Sequence, residues 1–254
     1  MSISIKNERE IDLMRTAGQL LAKVHYELGR ELKEGMTTKD IDRLGEEIIR
    51  SFGCIPNFLN YNGYPASICV SVNDEVVHGI PTDDRYLQNG DIVSLDAGLI
   101  YKGYHSDAAR THGVGEISQD AQRLIDVTKQ SFFEGIKYAK PGNHLVDIAR
   151  GIQTYAEAAG FSVVRDLTGH GIGTSLHEDP EIPNFVRRRR GAKLQKGMTL
   201  AIEPMINEGT YEVWWLEDDW TVVTRDGKLA AHYENTIAIT DDGCEILTML
   251  PEEK

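Results

Sequence analysis

Cysteine, basic residues and long apolar stretches are all scarce in this chain. Only three cysteines occur among its 254 residues, Cys54, Cys69 and Cys244. The count is odd and the spacing unlike that of a metal site, so they read as free thiols in a reducing cytoplasm. No apolar run approaches the length of a membrane span. The opening MSISIKNEREIDLMRTAGQL places charges where a secretory signal needs an apolar centre, so neither membrane nor export is expected. Lys and Arg number 27 against 40 Asp and Glu, a net charge of −13. That balance argues against nucleic acid as a specific partner, and simple solubility accounts for it. One basic cluster stands out, Arg187-Arg188-Arg189-Arg190. A solvated loop is the expected role of so short a run; the alternative is a transient phosphate contact with ribosomal RNA.

What the chain does contain suits a globular α/β protein: 41% hydrophobic residues and 24 glycines. The stretch GDIVSLDAGLIYKGYHSDAAR, residues 90–110, sets two aspartates among β-branched and aromatic residues. Both flanks read as strands of a hairpin. With Tyr101-Lys102 as a two-residue loop, Asp96 and Asp107 face each other directly. With Lys102-Gly103 they are diagonal neighbours on the same face, and a three-residue loop puts them on opposite faces. Either even loop brings two carboxylates together, where like charges repel. A shared proton, a salt bridge to Arg110 or a metal ion would relieve them.

An internal repeat organises the chain. Gly35, Asp40, Ile41 and Gly53 bound one amphipathic helix; a shift of 107 turns them into Gly142, Asp147, Ile148 and Gly160, with the same layout. The preceding helical stretches, Glu8 to Leu32 and Gln119 to Ala139, match more loosely. The same shift carries Gly90-Asp-Ile-Val-Ser-Leu-Asp96 onto Gly197-Met-Thr-Leu-Ala-Ile-Glu203. His105-Ser-Asp107 resembles His232-Tyr-Glu234 at a shift of 127, which leaves room for an inserted hairpin around Tyr211 to Lys228. The expectation is one domain, 1–254, of two similar α/β halves, approximately 7–115 and 118–250, related by a pseudo-two-fold. Each half would aim two carboxylates at a shared site.

Four clustered carboxylates cannot all stay ionised without counter-charge, and two divalent cations supply it. Thr168-Gly-His170-Gly-Ile-Gly173 adds a neutral ligand, its glycines excluding a stable helix and permitting close approach. Asp96, Asp107, His170, Glu203 and Glu234 therefore make an oxygen-rich set suited to a dinuclear site of manganese, iron(II) or cobalt, with zinc and nickel as further fits.

These residues resemble the type I methionine aminopeptidases, of the pita-bread metallopeptidase family, in the compact bacterial form. The five ligand positions follow that family's order. Val76-Val-His78-Gly-Ile-Pro81, Gly169-His-Gly-Ile-Gly173, His177-Glu-Asp-Pro180, Ile202-Glu-Pro-Met205 and Tyr233-Glu-Asn-Thr236 match as well. The resemblance spans nearly the whole chain. It implies a pita-bread fold, with a curved, mainly antiparallel central sheet and outer helices. It also implies removal of the initiator methionine from nascent polypeptides whose second residue is small, water or hydroxide between the two metals attacking the scissile carbonyl.

By the same analogy Asp96 chelates one ion, Asp107 and Glu234 bridge both, and His170 and Glu203 complete the second site. Glu203 takes the proton of the attacking water. His177 contacts the scissile carbonyl or its oxyanion, and His78 the scissile nitrogen. Phe58, Tyr61, Tyr64, Cys69 and Trp220 form the methionine pocket, whose aromatic walls favour sulfur. Phe58 and Leu176 depart from the family, which often has cysteine at the first and phenylalanine at the second. Asn73 lies where relatives can hold a monovalent cation through backbone carbonyls. A cytoplasmic monomer is expected. The competing enzyme is a prolidase or aminopeptidase P, which shares the metal set; those relatives carry a large additional N-terminal domain, for which there is no room before Gly35. A non-catalytic module of this fold would lose ligands that are all present here.

Overall fold

A computed structural model describes residues 3–250; positions 1, 2 and 251–254 of the expected 1–254 domain lie outside the described residues. Two helices open the chain, α1 (Glu8–Glu31) and α2 (Thr38–Ser51). Thr37 starts α2 through a reciprocal capping box: its hydroxyl accepts from the Asp40 N–H, while the Asp40 carboxylate accepts from the Thr37 N–H. Such a cap stabilises a helix by about 1 kcal/mol. Strands β1 (Ile55–Pro56), β2 (Ile68–Val72), β3 (Glu75–Val77), β4 (Ile92–Tyr101) and β5 (Tyr104–Gly113) follow.

The second half repeats this plan with α3 (Gln119–Ile136), α4 (Leu145–Ala158), β6 (Ser162–Val163), β7 (Gly169–Gly171), β8 (Glu178–Ile182) and β9 (Thr199–Ile202). Then come β10 (Met205–Asn207), β11 (Val213–Trp215), β12 (Val222–Thr224), β13 (Ala230–His232), β14 (Glu234–Ile239) and β15 (Cys244–Ile246). The bounds of α2, β1 and the start of β4 recur 107 residues later as α4, β6 and the start of β9. Even a lone bridge obeys the shift: Thr37 pairs with Tyr86, and His144 with Lys193. The twenty extra residues of the second half hold the β11–β12 hairpin, which docks on β3.

The main sheet runs β1-β4-β5-β14-β9-β7-β8, with β2 also on β4 and β15 also on β14, and every pairing is antiparallel. Strand alternation divides its faces. Leu95, Ala97 and Leu99 pack with Leu21, Ile41 and Ile49 of the first helix pair. Leu200, Ile202 and Ile237 pack with Phe132, Ile148 and Ile152 of the second. Each such buried aliphatic side chain stabilises the fold by about 1.5–3 kcal/mol. The residues between them, Asp96 and Ala201 among them, are thereby turned to the other face. The result is an α/β protein in which α1 to α4 back an antiparallel sheet, the architecture expected of a pita-bread fold.

Candidate metal centre

Register places the five proposed ligands. The β4–β5 hairpin turns at Lys102-Gly103, since Tyr101 pairs with Tyr104. Both turn residues have positive φ, 49° and 85°, as a two-residue hairpin turn requires. Asp96 then pairs with Ala109, and Asp107 with Gly98. The two aspartates are diagonal neighbours, the second of the two even-loop geometries. Glu234 pairs with the same Ala109 from the far side of β5. Along β14, Thr236 pairs with Ala201 of β9, and Ala201 pairs with His170 of β7. Glu203, two residues past Ala201, keeps that parity. Five adjacent strands thus point Asp96, Asp107, Glu234, Glu203 and His170 at one face, with small alanines at positions 109 and 201 between them.

The glycines beside His170 make this approach feasible. A Cβ on Gly169 would stand 2.3 Å from the Ala201 carbonyl oxygen, so β7 could not reach β9. The imidazole is oriented by Nδ1, 2.9 Å from the Gly171 carbonyl, which leaves Nε2 facing the carboxylates at 3.7 Å from both Asp107 and Glu203.

Arg110 does not relieve the charge. It is out of step with Asp107 along β5, donates to the carbonyls of Ala109, Glu234 and Thr248 and to the Asn235 amide oxygen, and stacks on Tyr233. Among the described residues, no lysine or arginine pairs with the four carboxylates; their only basic neighbours within 4.0 Å are His170 and His232. Burial pushes the Asp96 carboxyl up to about 7. Burial first, then mutual repulsion, raises Asp107, Glu203 and Glu234 well above the carboxylate range. One oxygen each of Asp96, Asp107 and Glu234 is buried with no hydrogen-bond partner among the described residues. Orphaned acceptors of like charge, with no protein cation, fit bound metal ions. Asp107, His170 and Glu234 offer ligand atoms within 4.8 Å of one another, and so do Asp96, His232 and Glu234. His232 is the residue that sequence reasoning passed over: it served there only as a marker of the repeat.

Above the cluster lies a cavity of about 180 Å³. Phe58, Tyr61, Tyr64, Cys69, His78, His177 and Trp220 all line it, together with Leu176, Met205 and the four carboxylates. Cys69 is there because it pairs with Asp96. Trp220 comes from the loop of the inserted hairpin and meets Tyr64 edge-on at 5.1 Å. His78 has a φ of 61°, an uncommon left-handed backbone for histidine. His177 sits at the exposed mouth, its Nδ1 2.7 Å from the Tyr61 hydroxyl and its ring 4.2 Å from that of His170. Phe58 is 8% exposed; it packs with Met14, Tyr64 and Leu176 and also faces the cavity.

Asn73 and the arginine run lie apart from this cavity. The Asn73 carbonyl accepts from the Ala230 N–H, and its side chain joins Asp91 to the Ile92 N–H. Arg187 pairs with Glu181 and covers Phe185, and Arg187 to Arg190 are exposed. Among the described residues no helix is long and apolar enough to cross a membrane.

The chain matches the model of metallopeptidase family M24 over residues 12–241. It is 56% identical to a methionine aminopeptidase of Clostridium acetobutylicum over 247 residues, 97% of this chain and 99% of that protein. Methionine aminopeptidase 1 of Bacillus subtilis is 51% identical, with the same shares covered. The crystal structure of methionine aminopeptidase from Rickettsia prowazekii superposes with a TM-score of 0.95 at 43% identity, covering 98% of this chain and all of that one. A prolidase from Pyrococcus furiosus shares the fold, with a TM-score of 0.75 at 21% identity over 97% of this chain and 65% of its own.

Proposed function

We infer what this chain does from the family to which it belongs, metallopeptidase family M24 and, within it, the methionine aminopeptidases. It is a metallopeptidase that removes N-terminal methionine. The observation that carries the reading is the convergence of four carboxylates and His170, from five adjacent strands, beneath a cavity walled by aromatic residues and Cys69.

Two divalent ions, when bound, would supply the missing counter-charge and bring the pKa of water toward neutrality. Asp96 would help hold one ion, His170 and Glu203 the other, with Asp107 and Glu234 contributing to both. Cobalt, manganese and iron(II) suit this donor set best, with zinc and nickel next. Glu203, which borders the cavity, is assigned the role of proton acceptor from the resemblance to the family. With Tyr61 donating its hydroxyl proton to Nδ1, His177 carries a proton on Nε2 and gives a hydrogen bond to the scissile carbonyl oxygen. His78 contacts the scissile nitrogen. Phe58, Tyr61, Tyr64, Cys69 and Trp220 enclose the methionine side chain, whose thioether gains about 0.3–1.5 kcal/mol from an aromatic contact.

The substrates are nascent polypeptides that begin with methionine and a small residue. Free cysteines suit a cytoplasmic monomer, with Arg187 to Arg190 as a solvated loop rather than a ribosome contact. A monovalent cation at Asn73 would use the second lone pair of that carbonyl.

Metal-reconstituted protein should cleave Met-Ala peptides and leave Xaa-Pro peptides intact, and metal-stripped protein should cleave neither. Glu203→Gln should lower kcat by about 10²–10⁴-fold, since an amide is a poor proton acceptor. Cleavage of Xaa-Pro alone, or full turnover without metal, would overturn this assignment.

A further inference from the structure

His232 faces the carboxylates of Glu234, Glu203 and Asp96. It closes β13, is 1% exposed, and neither of its ring nitrogens has a hydrogen-bond partner among the described residues. Leaving a buried polar atom unsatisfied costs about 1–3 kcal/mol, so two on one ring call for an explanation. Its Nε2 is 3.8 Å from Glu234 Oε2 and 4.0 Å from Glu203 Oε2, too far for hydrogen bonds. His170 has the same spacing, 3.7 Å to Asp107 Oδ2 and 3.7 Å to Glu203 Oε1. The two imidazoles flank Glu203, one facing each oxygen. Two ligand atoms each about 2.1 Å from a shared ion are at most about 4.2 Å apart; His170 meets that limit toward Asp107 and Glu203, and His232 toward Glu234 and Glu203, with an Asp96 oxygen within 4.8 Å. Asp96, His232 and Glu234 form a three-ligand group, the counterpart of Asp107, His170 and Glu234.

We propose that His232 is a sixth metal-ligating side chain, serving through Nε2 the ion that Asp96 holds, as His170 serves the neighbouring ion. The proposal rests on the two-ion reading above. It distinguishes the two ions. The His170 Nδ1 donates to the Gly171 carbonyl, whereas the His232 Nδ1 has no acceptor. Loss of such an orienting bond lowers metal affinity by about 10–100-fold. The Asp96-side ion is therefore the weaker of the two, and its imidazole nitrogen favours cobalt or iron(II) over manganese there.

The test is titration of metal-free protein with Co(II), followed by proton NMR of the loaded form. Wild type should bind two equivalents, the second more weakly. It should show two solvent-exchangeable, hyperfine-shifted imidazole N–H signals. His170→Gln should remove one signal and His232→Gln the other. His232→Gln should weaken the second equivalent at least about tenfold and spare the first. Two bound ions with a single imidazole signal would overturn the His232 assignment and leave the two-ion reading standing. Fewer than two equivalents in wild type would overturn both. The wild-type titration and signal count decide the matter even where a variant fails to fold.

Discussion

At position 58 a single side chain belongs both to the core and to the cavity. Phe58→Ala should therefore do two things. Thermal unfolding should show a loss approaching the roughly 3–5 kcal/mol of a buried phenylalanine. KM for Met substrates should rise by the lost aromatic–sulfur contact, about 0.3–1.5 kcal/mol. A large drop in Tm with unchanged KM would make Phe58 purely a core residue. His177 makes the opposite prediction, because it is exposed at the mouth and carries no core packing. His177→Ala should leave Tm and metal content unchanged while kcat falls about 10²-fold or more, as when an oxyanion donor is removed. Loss of a metal ion from this variant in elemental analysis would make His177 a ligand instead.

At the scale of elements, the site depends on strand register. Two even turns were open for the β4–β5 hairpin on sequence alone. The structure takes Lys102-Gly103, and the reason is local: a turn at Tyr101-Lys102 would force a bulky aromatic residue to positive φ, which is costly. Either turn kept both aspartates on one face, so the site was legible before the register was. Strand β7 is the tighter constraint. Gly169→Ala would drive a methyl group to 2.3 Å from the Ala201 carbonyl, and backbone cannot yield as a side chain can. We expect a loss of about 1–3 kcal/mol, as for an overpacked core, together with weakened binding at the His170 site. Calorimetry and metal titration of one variant check both; unchanged metal affinity would mean that β7 reaches β9 by another path.

Across the whole molecule, the buried carboxylates and histidines set how stability depends on pH. The folded-state pKa of Asp96 is raised to about 7, and those of Asp107, Glu203 and Glu234 are raised well above the ordinary range. Such groups stabilise the fold below their unfolded pKa, near 4, and that stability is lost as pH rises through the folded value. Burial lowers the pKa of His78 and His112 to about 4 and of His170 and His232 to about 3, and holds His25 well below 6.5. These histidines oppose the carboxylates only below about pH 6.5, where the unfolded imidazoles begin to charge. Above it the carboxylates act alone. Metal-free protein should therefore lose several degrees of Tm between pH 6.5 and 8.5, a destabilisation on the order of a few kcal/mol. Metal-loaded protein should hold its Tm over that range. Equal pH profiles with and without metal would show that the carboxylates are not what the ions neutralise.

The sequence by itself determined the chemistry and the plan of repetition. Asp96 and Glu203 lie at equivalent places 107 residues apart because each comes six residues after a glycine turn, at the fifth position counted from the start of its strand, and such local signals survive in one dimension. The glycines around His170 likewise announced close backbone approach, since only glycine tolerates it. What the tertiary structure decided was adjacency across the sheet. In chain order the proposed ligands run Asp96, Asp107, His170, Glu203, Glu234; in space β14 inserts between β5 and β9, so Glu234 lies at the centre, beside both Asp107 and Glu203. No periodicity encodes that insertion, because pairing between distant strands is set by how the two helix-backed halves bury their apolar faces. The same holds for His232. Its residue type was visible, but only the packing of β13 beside the main sheet brings its ring to Glu203 and leaves its nitrogens without a hydrogen-bond partner among the described residues.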